Sequence, residues 1–164
     1  QKNKRTILVL KLRVLSNQMH IATKGSKVDI SSKKKLEEFS KNLSSEMNIG
    51  DIFFLYGEMG VGKTTFLKYL INELQLRSRL ELTEVTSPTF NIMNEYKIND
   101  LIIKHYDLYR IKSSRELINL NLFDSSSNCI LFIEWPQIIN QKPNSVIELY
   151  FEYEDNYKKR FIKL

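Results

Sequence analysis

One nine-residue stretch, GEMGVGKTT at 57–65, narrows the fold more than any other part of the chain. It follows the apolar run DIFFLY and leads into FLKYLINEL, so it joins a buried strand to a helix. The pattern G-x-x-x-x-G-K-[ST] is met by Gly57, Gly62, Lys63 and Thr64, and three of the chain's five glycines (Gly57, Gly60, Gly62) lie inside it. Glycine permits positive φ and close backbone approach, which lets consecutive N–H groups turn inward around an anion. The helix that follows adds its own unpaired N–H groups and the positive end of its dipole. The expected phosphate cradle is therefore Gly57, Glu58, Met59, Gly60, Val61, Gly62, Lys63, Thr64 and Thr65. Lys63 reaches the β- and γ-phosphates, and the Thr64 hydroxyl completes the coordination of Mg²⁺. Such a loop implies a bound nucleoside triphosphate. It does not say what hydrolysis is for.

A chain of 164 residues is most simply one domain with a real core, and 42% hydrophobic with 27% charged residues is ordinary for a soluble protein. The single cysteine, Cys129, rules out an internal disulfide and fits a reducing cytoplasmic setting. No apolar segment approaches the roughly 20 residues needed to cross a bilayer, so no membrane role is expected. The net charge of +6 is unevenly spread. Residues 1–28 carry seven bases (Lys2, Lys4, Arg5, Lys11, Arg13, Lys24, Lys27) and no acid, leaving eighteen bases and nineteen acids, a net −1, for 29–164. The basic character thus belongs to a leader. Residues 1–18 are expected to be a poorly ordered extension ahead of a nucleotide-binding domain at 19–164, with Met19 a reasonable first residue. A basic arm touching RNA or a transit-like segment are the other readings.

The remaining pattern predicts a layered α/β domain. Ser31 or Ser32 caps a helix running to about Met47, with Leu36, Phe39, Leu43 and Met47 on one face. A strand over 51–56, the loop and a helix from about Lys63 to Leu74 follow. A polar connector ends in VTSPTF, and extended segments at Phe90–Lys97 and Leu101–Asp107 flank an Asn99–Asp100 turn. A short helix is expected over 113–120 and a loop at 125–128. CILFIE at 129–134 is a continuous apolar run, as in a central strand covered on both faces. VIELYFEY and KRFIKL after Pro143 read as an antiparallel pair. The fold class is α/β: a single phosphate-loop domain with a largely parallel sheet, flanking helices and antiparallel C-terminal strands.

A phosphate loop needs an acid at the tip of a neighbouring strand to hold the metal or its waters. Glu134 and Asp107 both qualify, each ending a predicted strand where ligands collect in open α/β sheets. The segment HYDLYR at 105–110 concentrates His, Asp, two tyrosines and Arg in six residues. On its own, His105 reads as a satisfied core or surface histidine. Arg110 is equally an ion-pair donor to Asp107 or Glu116 or a phosphate contact. SPTF at 87–90 offers hydroxyls that suit a γ-phosphate-sensing loop, or else a strand-entry turn. A guanine-reading N-K-x-D segment is absent after the loop, which favours ATP over GTP.

GEMGVGKTTF, VTSPTF, HYDLYR and IEWP, in this order and spacing, resemble the bacterial TsaE family, the ATPase of tRNA threonylcarbamoyladenosine biosynthesis. The resemblance covers about Ser31 to Leu164. It implies a small phosphate-loop α/β fold, binding of ATP and Mg²⁺, and association with the TsaB–TsaD pair, with tRNA engaged through that complex. Slow hydrolysis would reset the complex between turnovers. By the same resemblance Lys63 acts on the phosphates, Thr64 and Glu134 at Mg²⁺, and Asp107 as an essential acid near the attacking water; Trp135 is needed for activity. The threonine usual early in the family's first helix is replaced by Lys35 or Leu36. The competing reading is a kinase of a small metabolite, which needs an arginine-bearing lid. Residues 111–128 offer only Lys112 and Arg115 for one. A tRNA-binding module, resting on the leader and Lys33–Lys35, is the third.

Overall fold

The computed structural model describes residues 10–12, 20–22, 26–124 and 126–164. Within these residues, nine strands and three α-helices follow in order: β1 (Leu10–Leu12), β2 (His20–Ala22), β3 (Lys27–Asp29), α1 (Lys33–Ser44), β4 (Ile52–Tyr56), α2 (Lys63–Arg77), β5 (Met93–Ile98), β6 (Leu101–Asp107), α3 (Ser114–Asn119), β7 (Ile130–Glu134), β8 (Ile147–Glu154) and β9 (Lys159–Lys163). Single turns of 3₁₀-helix occupy Ser126–Asn128 and Pro136–Ile138. Among the described residues, strands β1 and β2 pair only with each other, antiparallel, and the other seven form one sheet in the order β3-β9-β8-β4-β7-β6-β5. The expectation of a poorly ordered leader falls almost wholly outside the described residues, which include only Leu10–Leu12 of 1–18.

The central four strands, β8, β4, β7 and β6, run parallel, and the edges are antiparallel through β5–β6, β8–β9 and β3–β9. Helices α1 and α2 cover one face. Leu36, Phe39 and Leu43 of α1 and Phe66, Leu67, Leu70 and Ile71 of α2 share a core with Phe53, Leu55, Phe132, Leu149 and Phe151. The Phe53 and Phe132 rings stack at 4.6 Å between adjacent strands. On the other face, Phe54, Leu131, Ile133 and Tyr106 pack beneath Leu108, Ile111 and Leu122, with Leu117 and Leu120 of the α3 segment alongside. Burial of each such side chain is worth about 1.5–3 kcal/mol. Covering both faces explains why β4 and β7 read as unbroken apolar runs.

Local chemistry moves several boundaries. Ser32 is the cap of α1, accepting from the Lys35 N–H at 3.2 Å. That helix stops at Ser44, short of Met47, where the Ser44 and Ser45 hydroxyls both donate to the Lys41 carbonyl and compete with further helical bonding. Helix α2 runs past Leu74 to Arg77, which is held to Glu73 one turn back at 2.8 Å. Strand β5 starts at Met93, not Phe90. The Ile92 N–H donates to the Pro88 carbonyl at 2.7 Å and Ile92 takes φ +64°, closing a turn that leaves Phe90 84% exposed. Strand β3, with no counterpart among the predicted elements, pairs Val28 with Ile162.

Candidate functional site

The parallel strands β4, β6 and β7 end on the same edge, and their tips carry the site. Gly57 takes φ +140°, and a Cβ there would lie 2.5 Å from the carbonyl oxygen of Phe151 on β8. Only glycine lets the loop leave β4 this close to its neighbour. Gly62, at φ +118°, is the cap position of α2 and has no side chain with which to cap the first turn. That turn's N–H groups are thereby left to an anion. Val61 is buried in the core between sheet and helices, so it anchors the loop from beneath and contributes to a cradle only through its backbone.

Lys63 is 4% exposed, and its ammonium donates to the carbonyls of Gly57 (2.8 Å) and Glu58 (3.0 Å). It also lies 4.3 Å from the centre of the Trp135 ring. Burial pushes its pKa down, opposed by the charges of Glu134 and Asp107. Those acids sit side by side at the ends of β6 and β7, where Asp107 is the register partner of Glu134. Glu134 Oε1 accepts from the Thr64 hydroxyl at 2.9 Å and lies 2.9 Å from His105 Nε2. Asp107 Oδ1 accepts from the Tyr109 N–H at 3.0 Å, and Oδ2 from the Ser87 hydroxyl at 2.5 Å. Ser87 in turn bonds Thr89 at 2.9 Å, which fastens SPTF to the tip of β6. Trp135 holds a left-handed backbone, φ +57°, uncommon for a bulky residue. Its N–H reaches the Leu55 carbonyl at 3.4 Å and its ring lies 5.0 Å from that of Tyr109.

These groups enclose a cavity of about 320 Å³ lined by Met59, Gly60, Gly62, Lys63, Thr64, Thr65, Ser87, Thr89, Asp107, Tyr109, Glu134 and Trp135. Gly57 and Glu58 stand behind it, their carbonyls taken by Lys63. Arg110 takes neither expected partner. Its guanidinium lies over the exposed Phe90 ring at 4.6 Å, while Glu116 accepts from Ser113. His105 is the participant that its local sequence concealed: it is wholly buried, yet bonded to a site acid. The signal was the two-residue strand period, which puts 105 and 107 on one face.

The donor set fits a hydrated Mg²⁺ beside phosphates. The Thr64 proton is directed at Glu134, so its oxygen lone pairs remain for a cation. Among the described residues no group of three or more His, Cys, Asp or Glu stands together as a metal cage. Mg²⁺ in phosphate sites takes most ligands from phosphate and water. Among the described residues, too, no helix is long and apolar enough to cross a membrane.

A glycine loop between β4 and α2, with acids on the tips of adjacent parallel strands, defines a phosphate-loop α/β fold. Comparison with known proteins agrees. The family model described as threonylcarbamoyl adenosine biosynthesis protein TsaE matches residues 30–162. The tRNA threonylcarbamoyladenosine biosynthesis protein TsaE of Rickettsia prowazekii is 34% identical over 131 residues, 79% of this chain and 88% of that protein. Its namesake in Borreliella burgdorferi is 41% identical over 115 residues, 68% and 78% of the two chains. The crystal structure of Bacillus subtilis YdiB superposes with a TM-score of 0.65 at 22% identity, covering 85% of this chain and 83% of that one. The chain belongs to the TsaE family, whose place is in tRNA threonylcarbamoyladenosine biosynthesis.

Proposed function

We propose that the protein binds ATP with Mg²⁺ in the cavity over the loop and hydrolyses it slowly, using the cycle to time its association with the TsaB–TsaD complex in tRNA modification. The observation that carries this reading is the convergence of Lys63, the Thr64–Glu134 pair and Asp107 on one cavity at the mouth of α2. In this account the loop N–H groups and the first turn of α2 hold the phosphates. Lys63 exchanges the carbonyls of Gly57 and Glu58 for phosphate oxygens, kept over the site by the Trp135 ring. Thr64 and Glu134 hold Mg²⁺ or its waters; when bound, the ion neutralises charge on the phosphates and the leaving group. Asp107 orients the attacking water by exchanging the Ser87 hydroxyl for it, which couples the state of the γ-phosphate to SPTF. Positioning and charge dominate phosphoryl transfer, so a site with few catalytic groups and slow turnover is consistent with a timing role.

A metabolite kinase has less support. Its lid would have to come from 111–128, where Leu117, Leu120 and Phe123 are packed against the sheet's second face. Localisation in the cytoplasm follows from the proposed partners. The test is capture of the full chain by TsaB–TsaD in ATP and in ADP. A clear difference between the two is expected, whereas equal capture, or none, would remove the timing role.

A further inference from the structure

His105 is a fully buried polar side chain beside the loop whose chemistry the nucleotide site, as proposed, leaves unused. It shares a face of β6 with Ile103 and Asp107 and stands opposite Phe132 in register. Its Nε2 lies 2.9 Å from Glu134 Oε1. A carboxylate only accepts, so Nε2 carries the hydrogen. Nδ1 is buried, and among the described residues it has no hydrogen-bond partner. As filler the imidazole is a poor choice, since leucine would occupy similar space without an unpaired nitrogen. What distinguishes His105 from packing is the bond to Glu134.

That bond lands on the same oxygen that accepts from Thr64. Two donors, one from β6 and one from α2, therefore converge on Oε1 of a carboxylate that is almost wholly buried. With the carboxylate fixed on the β6 side, the Thr64 proton has one direction to point, and its lone pairs are set by that direction. We propose that His105 is a positioning residue: its Nε2–H anchors Glu134, and through Glu134 it orients the Thr64 hydroxyl for the divalent cation, touching neither nucleotide nor metal. This rests on the reading of the loop as a Mg²⁺–ATP site. Partners that orient metal ligands typically tune metal affinity about 10–100-fold.

The experiment titrates Mg²⁺ into the full chain with ATP and follows nucleotide binding by calorimetry, alongside thermal melting. In wild type, Mg²⁺ is expected to strengthen ATP binding with a measurable half-saturation. His105→Leu is expected to raise that half-saturation about 10–100-fold, with Mg²⁺-free ATP binding and melting temperature at or above wild type. His105→Gln, which keeps an N–H at similar reach, is expected to restore it. In a Glu134→Gln background, His105→Leu should add little further shift, because its effect passes through Glu134. If His105→Leu does not fold, His105→Asn, whose amide is too short to reach Glu134, takes its place. An unchanged half-saturation in a folded variant overturns the positioning role and leaves the nucleotide reading intact. An equal, independent shift in the Glu134→Gln background also overturns it. Wild type lacking Mg²⁺-dependent ATP binding overturns the nucleotide reading and the positioning role with it.

Discussion

Replacing Gly57 with alanine places a methyl group 2.5 Å from the Phe151 carbonyl oxygen, 3.0 Å from Phe151 Cβ and 3.1 Å from a methyl of Val61. Two of those contacts belong to the backbone and Cβ of a central strand, and the third to a residue 1% exposed, so none can yield cheaply. The φ of +140° adds backbone strain of about 1–3 kcal/mol for any residue with a Cβ. Overpacking adds about 1–3 kcal/mol more. A loss of about 4 kcal/mol follows. At this chain length about 1 kcal/mol moves Tm by roughly 2–4 °C, so Gly57→Ala should melt roughly 8–16 °C below wild type. Circular dichroism melts of the two proteins provide the measurement. Relief of the clash moves the loop away from β8, so ATP binding should weaken as well. A variant melting within about 2 °C of wild type, the equivalent of about 1 kcal/mol or less, would refute the seating of the loop against Phe151.

The two acids should separate by assay. Glu134→Gln is expected to raise the Mg²⁺ needed for half-maximal ATPase activity, whereas Asp107→Asn should cut turnover by about 10²-fold while nucleotide and Mg²⁺ binding stay near wild type; the reverse pattern exchanges their roles. Asp29 accepts from Lys35 at 2.5 Å and from the Ser31 N–H at 2.8 Å, and the Lys35 bond leads in lowering its pKa from 3.8 to about 2. A depressed carboxylate stabilises above its unfolded pKa and loses that contribution as pH falls through the folded value, here between about pH 4 and 2. The pair is partly exposed, so Asp29→Asn should cost under about 1 kcal/mol in urea unfolding at pH 7, with that cost shrinking as pH falls through the folded value. Removing residues 1–18 takes β1 away and leaves the seven-stranded sheet whole, so Tm should move by less than about 4 °C.

The loop, its strand and its helix were legible because a phosphate cradle demands particular residues at fixed spacing, and the two acids because apolar runs end on them. Boundaries failed where side chains compete with the backbone, as Ser44 and Ser45 do at the end of α1. Strand β3 escaped notice because three residues carry no period of their own; its identity lies in Ile162, far along the chain. Periodicity could put His105 and Asp107 on one face, but only the order β7-β6 brings Glu134 beside both. The same holds for Lys63 beneath Trp135 and for Ser87 on Asp107, contacts that the strand order creates.

In the proposed function, Gly57–Thr65 binds ATP through Lys63. Calorimetric titration of the full chain with ATP and Mg²⁺ tests it, comparing wild type with Lys63→Ala. Loss of a charge-assisted contact worth about 1.5–3 kcal/mol is a factor of roughly 10–100 in affinity. Saturable single-site binding by wild type is expected, with at least that weakening in the variant and both proteins folded by circular dichroism. Equal affinity in the two proteins, or no binding by wild type, would contradict it.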